Sequence, residues 1–491
     1  MALIPDQLRW VAERIPDEDA FVVDGSASNP GGSITYGEWH ATSSRLAHGL
    51  IDAGVKPGDR VALVQRPEDG LAFVQTYTAI HKAGGVAVPV NVRMAANLVE
   101  GVLKHCEPAV TVVAPELAHL APQGVDWESL LTDDAEDIQV DRDSDDLAEI
   151  LYTSGTTSAP KGVAIRHSNS AMVITAEPEW TGRPWLHACP MFTFSGMTFV
   201  YQPMRMGMYT LYLAKFDTAA WLRLIETAKP KCVFLVPAMV ELLLADPQTA
   251  QTDWSAVEMV SVGSAPIAPT TLLALQELVP DAMVTNSYSM TEAGTAYFFM
   301  PKGELVKHPG SVGIAVPPAK VRIVDDEDAA LPVGEVGNVQ VKPAGKLREY
   351  YKVAAEAQEM FHADGWLRTG DLGKLDEDGY LYILGRAKDV IIRGGLNIHA
   401  TDVESALYEH PGVREAAVVG VEHQVLGEDV VAFVVLTEDD AATAEELIAW
   451  CKERVADYAT PRRLFLVAEL PRNATGKVLK RELQHHELLR S

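Results

Sequence analysis

A run of hydroxyl groups, glycine and lysine at residues 152–162 is the part of this sequence best suited to bind phosphate. Apolar runs enter it at 150–152 and leave it at 163–165, which predicts a strand, a tight loop and a second strand. Such a loop presents backbone N–H groups to one small volume, and a lysine adds a point charge. A polar hairpin turn is the alternative for the loop taken alone. The residues of this loop that present such groups include Thr153, Ser154, Gly155, Thr156, Thr157 and Lys161.

Residues 288–292 could bind other parts of a nucleotide. The ring of Tyr288 can stack on adenine, and the hydroxyl of Thr291 can bond a phosphate. The carboxylate of Glu292 can hold Mg²⁺ directly or through water. Taken alone, a tyrosine followed by threonine and glutamate at this spacing is also typical of a helix cap.

Two glycine-containing segments complete a candidate nucleoside site. Glycine at the end of the strand predicted at 257–263 lets a flat ligand approach the backbone of Gly263, Ser264 and Ala265. Asp371 lies between two glycines and is suited to accept both ribose hydroxyl hydrogens, because an ionised carboxylate only accepts. A turn aspartate is the alternative reading of Asp371 taken alone.

Aromatic and apolar residues near these motifs predict a pocket for the apolar part of a substrate. They come from the segment 190–197, from a strand predicted at 231–237, and from the motif at 288–292. The sequence near them contains no lysine or arginine that would bind a second carboxylate, so a substrate with only one carboxylate is expected. Apolar packing is the alternative for each residue taken alone. The predicted pocket residues are Phe192, Phe194, Gly196, Phe234 and Met290.

Alternating helices and strands must position these residues. Apolar spacing predicts a helix at 3–15, and the residues that begin at Thr35 predict a second helix that runs to about Ala53. A third helix is predicted at 94–105, and strands are predicted at 61–64, 84–90 and 109–113. This alternation predicts a largely parallel α/β sheet. The last hundred residues read as a compact α+β unit, in which Thr401 and Glu404 form a predicted capping box.

Composition limits the partners and the compartment. The 491 residues are too many for one core, and 47% hydrophobic with 22% charged residues is ordinary globular composition. A net charge of −27 argues against a nucleic-acid surface, which needs a basic face. The sequence has no run of about 18 apolar residues, so no membrane span is expected. The acidic start does not resemble a secretion signal, and the four scattered cysteines do not suggest zinc or disulfides, so a cytoplasmic protein is expected.

Together these motifs resemble those of the adenylate-forming superfamily. It includes acyl-CoA and aryl-CoA ligases, the adenylation domains of peptide synthetases and beetle luciferases, and this chain is most similar to the acyl-CoA ligases. The motifs occur in family order from Tyr152 to Lys477. The resemblance implies a large N-terminal multi-subdomain α/β region at 1–387 and a small mobile C-terminal α+β domain at 388–491. Lys388 would be the hinge between them.

The resemblance implies a first half-reaction with ATP and Mg²⁺. A small-molecule carboxylic acid would attack the α-phosphate, giving acyl-AMP and pyrophosphate. Lys477 would bridge the carboxylate and the α-phosphate and stabilise the charge that develops there. Thr291 would hold the α-phosphate, Glu292 would be the metal ligand, and Arg386 would lie near the ribose or a phosphate. Lys161 would act with the loop hydroxyls on the β- and γ-phosphates.

A second half-reaction with CoA would follow a domain rotation about Lys388. Gly394 and Gly395 would then line a narrow channel through which the CoA thiol attacks the acyl carbon. Serine at 158 replaces the usual glycine of the phosphate loop, and Thr193 stands where many relatives have histidine. These departures leave open a weak or absent adenylation half, with thioester formation from preformed acyl-AMP. A ligase that loads a carrier protein, a degenerate nucleotide-binding protein, the identity of the acid and a homodimer are also left open.

Overall fold

The computed structural model shows an α/β protein, and the predicted fold class is confirmed. A large N-terminal region of two main sheets is followed by a smaller C-terminal unit. The structure describes residues 3–25, 31–153, 161–170, 179–294, 298–343, 346–354, 358, 360–362, 364–437, 442–472 and 478–490.

Helices form close to the positions that apolar spacing predicted. The helix at Tyr36–Asp52 begins with a capping box, in which the Thr35 hydroxyl and the Glu38 carboxylate each accept the other residue's backbone N–H. No described helix is both long and apolar enough to cross a membrane. The α-helices of the described residues are α1 (Ile4–Ala12), α2 (Tyr36–Asp52), α3 (Gly70–Lys82), α4 (Ala96–Cys106), α5 (His167–Ser170), α6 (Phe194–Arg205), α7 (Thr218–Ala228), α8 (Pro237–Ala245), α9 (Pro269–Leu278), α10 (Ala400–Tyr408), α11 (Ala444–Lys452) and α12 (Lys480–Leu483).

Strands also follow the apolar runs. Those predicted at 61–64, 84–90 and 109–113 correspond to the third, fourth and fifth strands. The described strands are β1 (Asp19–Val23), β2 (Gly32–Thr35), β3 (Arg60–Val64), β4 (Val86–Pro89), β5 (Val110–Val113), β6 (Leu147–Thr153), β7 (Lys161–Arg166), β8 (Pro184–His187), β9 (Tyr209–Tyr212), β10 (Cys232–Leu235), β11 (Met259–Gly263), β12 (Met283–Ser287), β13 (Phe298–Phe299), β14 (Ile314–Ala315), β15 (Lys320–Val324), β16 (Gly337–Lys342), β17 (Glu349–Tyr350), β18 (Leu367–Leu375), β19 (Leu381–Arg386), β20 (Val390–Arg393), β21 (Leu396–His399), β22 (Val413–His423), β23 (Gly427–Leu436) and β24 (Arg463–Leu466).

Two large sheets share one apolar core. One sheet has the order β12-β11-β10-β8-β9-β1-β2, and the other has the order β17-β7-β6-β4-β3-β5. Phe21 of the first sheet and Val61 of the second belong to the same buried cluster as Trp39 of α2 and Tyr201 of α6. The strands from β12 to β1 are parallel, so their carboxyl ends meet at one edge, where α/β sheets bind ligands.

A four-stranded antiparallel sheet, β15-β16-β18-β19, connects this region to the C-terminal unit. In that unit β21-β20-β23-β22 are antiparallel, and β24 lies parallel to β23. Buried side chains of α10 and α11 pack with this sheet in a core of their own. The short turn Ala387–Asp389 joins β19 to β20. The domain boundary between residues 387 and 388 stays a prediction.

The capping box predicted at Thr401 and Glu404 is wrong. α10 begins after His399, and the Thr401 hydroxyl donates instead to the carbonyl of Leu384 in β19. Oε1 of Glu404 accepts from the backbone N–H of Val418 at 2.7 Å and lies 2.7 Å from Nζ of Lys480. Partners distant in sequence therefore replace the local ones.

Candidate active site

A β-hairpin carries the predicted phosphate loop, as its flanking apolar runs indicated. β6 and β7 pair antiparallel, and Thr153 lies opposite Lys161 where the loop leaves and rejoins the sheet. Lys161 is exposed at the first position of β7, so its ammonium group is accessible to an anionic ligand. Residues 154–160 lie outside the described residues. They include Ser158 and four of the predicted ligands, which are Ser154, Gly155, Thr156 and Thr157.

The short strand β17 pairs with β7 and brings Tyr350 to the predicted metal ligand. The Tyr350 hydroxyl donates to Oε1 of Glu292 at 3.2 Å, and the ring centroid lies 5.0 Å from Nζ of Lys161. Burial raises the pKa of Tyr350, and the Glu292 carboxylate raises it further, so the phenol keeps its proton. One ring therefore contacts the predicted metal ligand and the predicted phosphate-binding lysine.

Arg348 also contacts this segment and is only 4% exposed. Its Nη1 donates to the carbonyl of Thr291 at 2.5 Å, and its guanidinium lies 5.0 Å from the ring centroid of Phe194. The motifs in the sequence missed both Arg348 and Tyr350. Their alternation with exposed Glu349 is the strand signal that could have suggested a shared inward face.

Asp371, Arg386 and Tyr288, which were each predicted to bind part of the nucleotide, contact one another in the structure; their roles stay a prediction. Asp371 of β18 lies directly opposite Arg386 of β19, and its Oδ1 is 2.8 Å from Nε of Arg386. The Tyr288 hydroxyl donates to Oδ2 of the same carboxylate. Burial raises the pKa of Tyr288, and Asp371 beside it adds to that rise, so the tyrosine remains a donor. Asp371 is 5% exposed, and it connects β19 with the segment after β12 that carries Tyr288.

The predicted adenine segment follows the carboxyl end of β11. A Cβ on Gly263 would lie 2.9 Å from the carbonyl oxygen of Ser287, which accounts for glycine there. Ser264 has a φ of 73°, in the left-handed region, and Oγ of Ser264 lies 3.0 Å from Oγ of Ser195. This contact connects the predicted adenine segment, Gly263 to Ala265, with the first turn of α6.

The start of α6 holds three of the predicted pocket residues. Phe192 is buried just before it, Phe194 is its first residue, and a Cβ on Gly196 would collide with the carbonyl of Pro190. Thr193 is the N-cap of α6. Its hydroxyl accepts from the N–H of Gly196 at 3.1 Å and donates to the carbonyl of Pro190 at 2.7 Å. Threonine in place of the frequent histidine thus fixes the turn that carries the two aromatic rings.

Replacement of Thr193 by alanine is expected to lower the free energy of unfolding by about 1 kcal/mol, because the cap of α6 is lost. Serine at this position should retain most of the stability. Urea denaturation measures both variants. Thr198→Ala is the matched control, since Thr198 donates within the same helix to the carbonyl of Phe194 and caps nothing. A loss in Thr198→Ala equal to that in Thr193→Ala would contradict the capping role.

The remaining predicted pocket residues lie in different parts of the core. Phe234 is buried at the end of β10, 5.1 Å from the ring of Phe199. Met290 packs instead with the cluster that includes Tyr288. A single cavity lined by all five predicted residues stays a prediction.

The expectation of no basic residue beside the pocket aromatics is wrong. The guanidinium of Arg348 lies over Phe194, and that of Arg93 lies 5.9 Å from the ring centroid of Phe192. Both arginines are distant in sequence from the rings that they contact, so proximity along the chain could not reveal them.

The predicted hinge and channel residues lie in the C-terminal unit. Lys388 is exposed in the turn Ala387–Asp389. Gly394 and Gly395 form the two-residue tip of the β20–β21 hairpin, with φ of 59° and 80°. A tight hairpin turn with both φ values positive requires glycine-like residues. Lys477 lies in 473–477, outside the described residues; the flanking Arg472 and Val478 form an antiparallel bridge.

Comparison with known proteins places this geometry in a family. Residues 8–351 match the AMP-binding enzyme family, and residues 402–477 match the AMP-binding enzyme C-terminal domain. The chain belongs to the AMP-binding enzyme family. The predicted membership of the adenylate-forming superfamily is thereby confirmed.

Similar proteins narrow the class of this AMP-binding enzyme. A feruloyl-CoA synthase of Amycolatopsis is 31% identical over 466 residues, covering 92% of this chain and 94% of that protein. A long-chain-fatty-acid–CoA ligase of Mycobacterium tuberculosis is 30% identical over 475 residues, covering 92% of each. The structure of o-succinylbenzoate CoA synthetase from Bacillus subtilis, with its acyl-adenylate intermediate, has a TM-score of 0.85 at 28% identity and covers 99% of both chains. This AMP-binding enzyme is an AMP-forming acid–CoA ligase.

Glu292 suits the magnesium ion that this AMP-binding enzyme is expected to use. Among the described residues no three His, Cys, Asp or Glu side chains form a metal-binding group. The half-buried carboxylate of Glu292 fits Mg²⁺, which proteins commonly hold through one or two carboxylates together with substrate phosphates. The donor set around Glu292 therefore fits a metal that arrives with ATP.

Proposed function

We propose that this enzyme activates an apolar carboxylic acid as acyl-AMP and transfers the acyl group to CoA by domain alternation. The observation that carries the proposal is that two tyrosines link the segments that hold Lys161, Glu292 and Asp371. Tyr350 contacts both Lys161 and Glu292, and Tyr288, four residues before Glu292, donates to Asp371. A cation, a metal-binding carboxylate and a ribose acceptor are the groups that binding of ATP requires.

ATP would be positioned by groups from four segments. Asp371 would accept hydrogen bonds from the ribose hydroxyls while Arg386 holds the carboxylate in place. Tyr288 and the backbone of 263–265 would flank adenine. Lys161 and the loop hydroxyls would bind the β- and γ-phosphates, and Thr291 would bind the α-phosphate. Positioning and charge neutralisation of this kind are the main requirements of phosphoryl chemistry.

The acid carboxylate would attack the α-phosphate, displacing pyrophosphate. Lys477 would contact both reacting groups and stabilise the negative charge that develops between them. Magnesium held by Glu292 would neutralise phosphate charge. Rotation about Lys388 would then remove Lys477 and bring Gly394 and Gly395 to the site. The CoA thiol would attack the acyl carbon, forming the thioester and releasing AMP.

The acid would lie against the start of α6 and the end of β10. Phe192, Phe194 and Phe234 make an apolar substituent the expected one. The similar proteins are named for feruloyl, long-chain fatty and o-succinylbenzoyl groups. Arg93 and Arg348 beside the aromatic rings give a specific reason to test acids that carry a second anionic group.

The test is release of pyrophosphate from Mg-ATP with panels of aryl, fatty and dicarboxylic acids, with and without CoA. Thioesters are followed by mass spectrometry. We expect release with one acid class and a matching acyl-CoA when CoA is present. Release without a thioester would point to a carrier protein as the acceptor. Thioester formed only from synthetic acyl-AMP would indicate a weak adenylation half, and ATP binding without either reaction would support a degenerate nucleotide-binding protein.

A further inference from the structure

The Tyr350 side chain contacts two groups of opposite charge that both serve ATP in the proposed function. Nζ of Lys161 lies over the ring, 5.0 Å from its centroid, and Oε1 of Glu292 accepts from the hydroxyl at 3.2 Å. Lys161 is exposed and Glu292 is half-buried, so both side chains have room to move. Tyr350 itself is 8% exposed and packs edge-on against Phe361, at 5.5 Å between ring centroids. Of these three side chains, that of Tyr350 is the one held in place by packing.

Two unlike charges that contact the same side chain in a partly buried site attract each other. If this lysine and glutamate formed a direct ion pair, both would contribute less to ATP binding, because the lysine must contact phosphate and the glutamate must bind the metal. The aromatic face attracts the ammonium without neutralising it. The phenol supplies one hydrogen bond to the carboxylate and leaves its charge in place.

We infer that Tyr350 is a positioning residue that keeps Lys161 and Glu292 apart and oriented for Mg-ATP. The inference rests on the proposed function, and it adds a role that no motif assigns. Arg348 supports the same arrangement from the same face of the chain, since it holds the carbonyl of Thr291, next to Glu292. The two residues together fix both the main chain and the side chain of the predicted metal segment.

The discriminating measurement is calorimetric binding of ATP in EDTA, without any metal. Tyr350→Leu removes the ring and lets Lys161 pair with Glu292, so metal-free ATP should bind about fivefold to tenfold more weakly, a change of about 1–1.4 kcal/mol that lies within the usual contribution of one hydrogen bond. Tyr350→Phe keeps the ring, so its affinity should lie within about threefold of the wild type. Tyr351→Leu is the matched control, because the neighbouring tyrosine contacts His105 and Lys352 instead. Its affinity should be unchanged.

A double variant separates spacing from a general loss of structure. In Glu292→Gln no carboxylate remains to capture Lys161. Tyr350→Leu combined with Glu292→Gln should therefore bind metal-free ATP as tightly as Glu292→Gln alone. Thermal unfolding of each variant shows that it is folded at the temperature of the titration.

The inference is overturned if folded Tyr350→Leu binds ATP like the wild type, or if the double variant binds as weakly as Tyr350→Leu. Should Tyr350→Leu not fold, an affinity of Tyr350→Phe more than tenfold below the wild type would overturn it, because the ring alone would then not suffice. A wild-type enzyme that does not bind ATP at all would overturn the proposed function as well. The two failures are thus distinguishable in one set of titrations.

Discussion

Replacing Lys477 by alanine is expected to slow formation of acyl-AMP by about 100-fold to 1000-fold, while thioester formation from supplied acyl-AMP stays close to the wild-type rate. Removal of one group that stabilises a developing oxyanion typically has an effect of this size. The second half-reaction should be spared, because in the proposed function Lys477 has left the site by then. Pyrophosphate release measures the first half, and thioester yield from synthetic acyl-AMP measures the second.

The structure around Lys477 makes this substitution a clean one. The described residues on either side of it are held together: Arg472 and Val478 form an antiparallel bridge, and the N–H of Leu479 donates to the carbonyl of Pro471 at 2.8 Å. These contacts are made by the main chain, so an alanine at 477 leaves them intact. Lys452→Ala, an exposed lysine at the end of α11, is the control and should change neither rate. Equal loss of both half-reactions in Lys477→Ala would contradict the separate roles.

Replacing Asp371 by asparagine is expected to weaken ATP binding by about 10-fold to 100-fold, since hydrogen bonds to charged groups contribute about 1.5–3 kcal/mol. Asparagine keeps the shape but lacks the charge that faces Arg386, and its amide nitrogen cannot accept a ribose hydroxyl. Because Arg386 is about one-third exposed, water can compensate part of its lost partner, so a folded protein is expected. Calorimetric titration with Mg-ATP measures the change.

Titration with 2′-deoxy-ATP tests the cause of that change. The wild type should bind ATP more tightly than its 2′-deoxy analogue, and Asp371→Asn should discriminate much less between the two. Asp378→Asn, in the exposed turn after the same strand, is the control and should behave like the wild type. Unaltered discrimination in Asp371→Asn would show that this carboxylate only holds Arg386 and Tyr288 in place.

The sequence alone determined the local elements and the order of the motifs. The hairpin around the phosphate loop followed from its two apolar runs, and α2 followed from the residues that begin it at Thr35. Such features depend on contacts within a few residues, which spacing and side-chain type describe directly. The family followed for a similar reason, because each motif is short and the motifs keep their order along the chain.

Tertiary structure alone decided which distant residues became partners. Asp371 meets Arg386 because the register of β18 and β19 places them opposite each other, and no local pattern specifies that register. Thr401 and Glu404 do not form the predicted capping box, because their side chains bind partners from other elements. Thr401 contacts Leu384, and Glu404 contacts Val418 and Lys480.

The residues around the predicted metal ligand show the same dependence on pairing. Tyr350 belongs to a two-residue strand without a motif, and it reaches Glu292 because that strand pairs with β7. Arg348 reaches Thr291 and Phe194 from the same segment. A hydrogen bond or an ion pair between segments depends on position in space, so these contacts became visible only once the strands were paired.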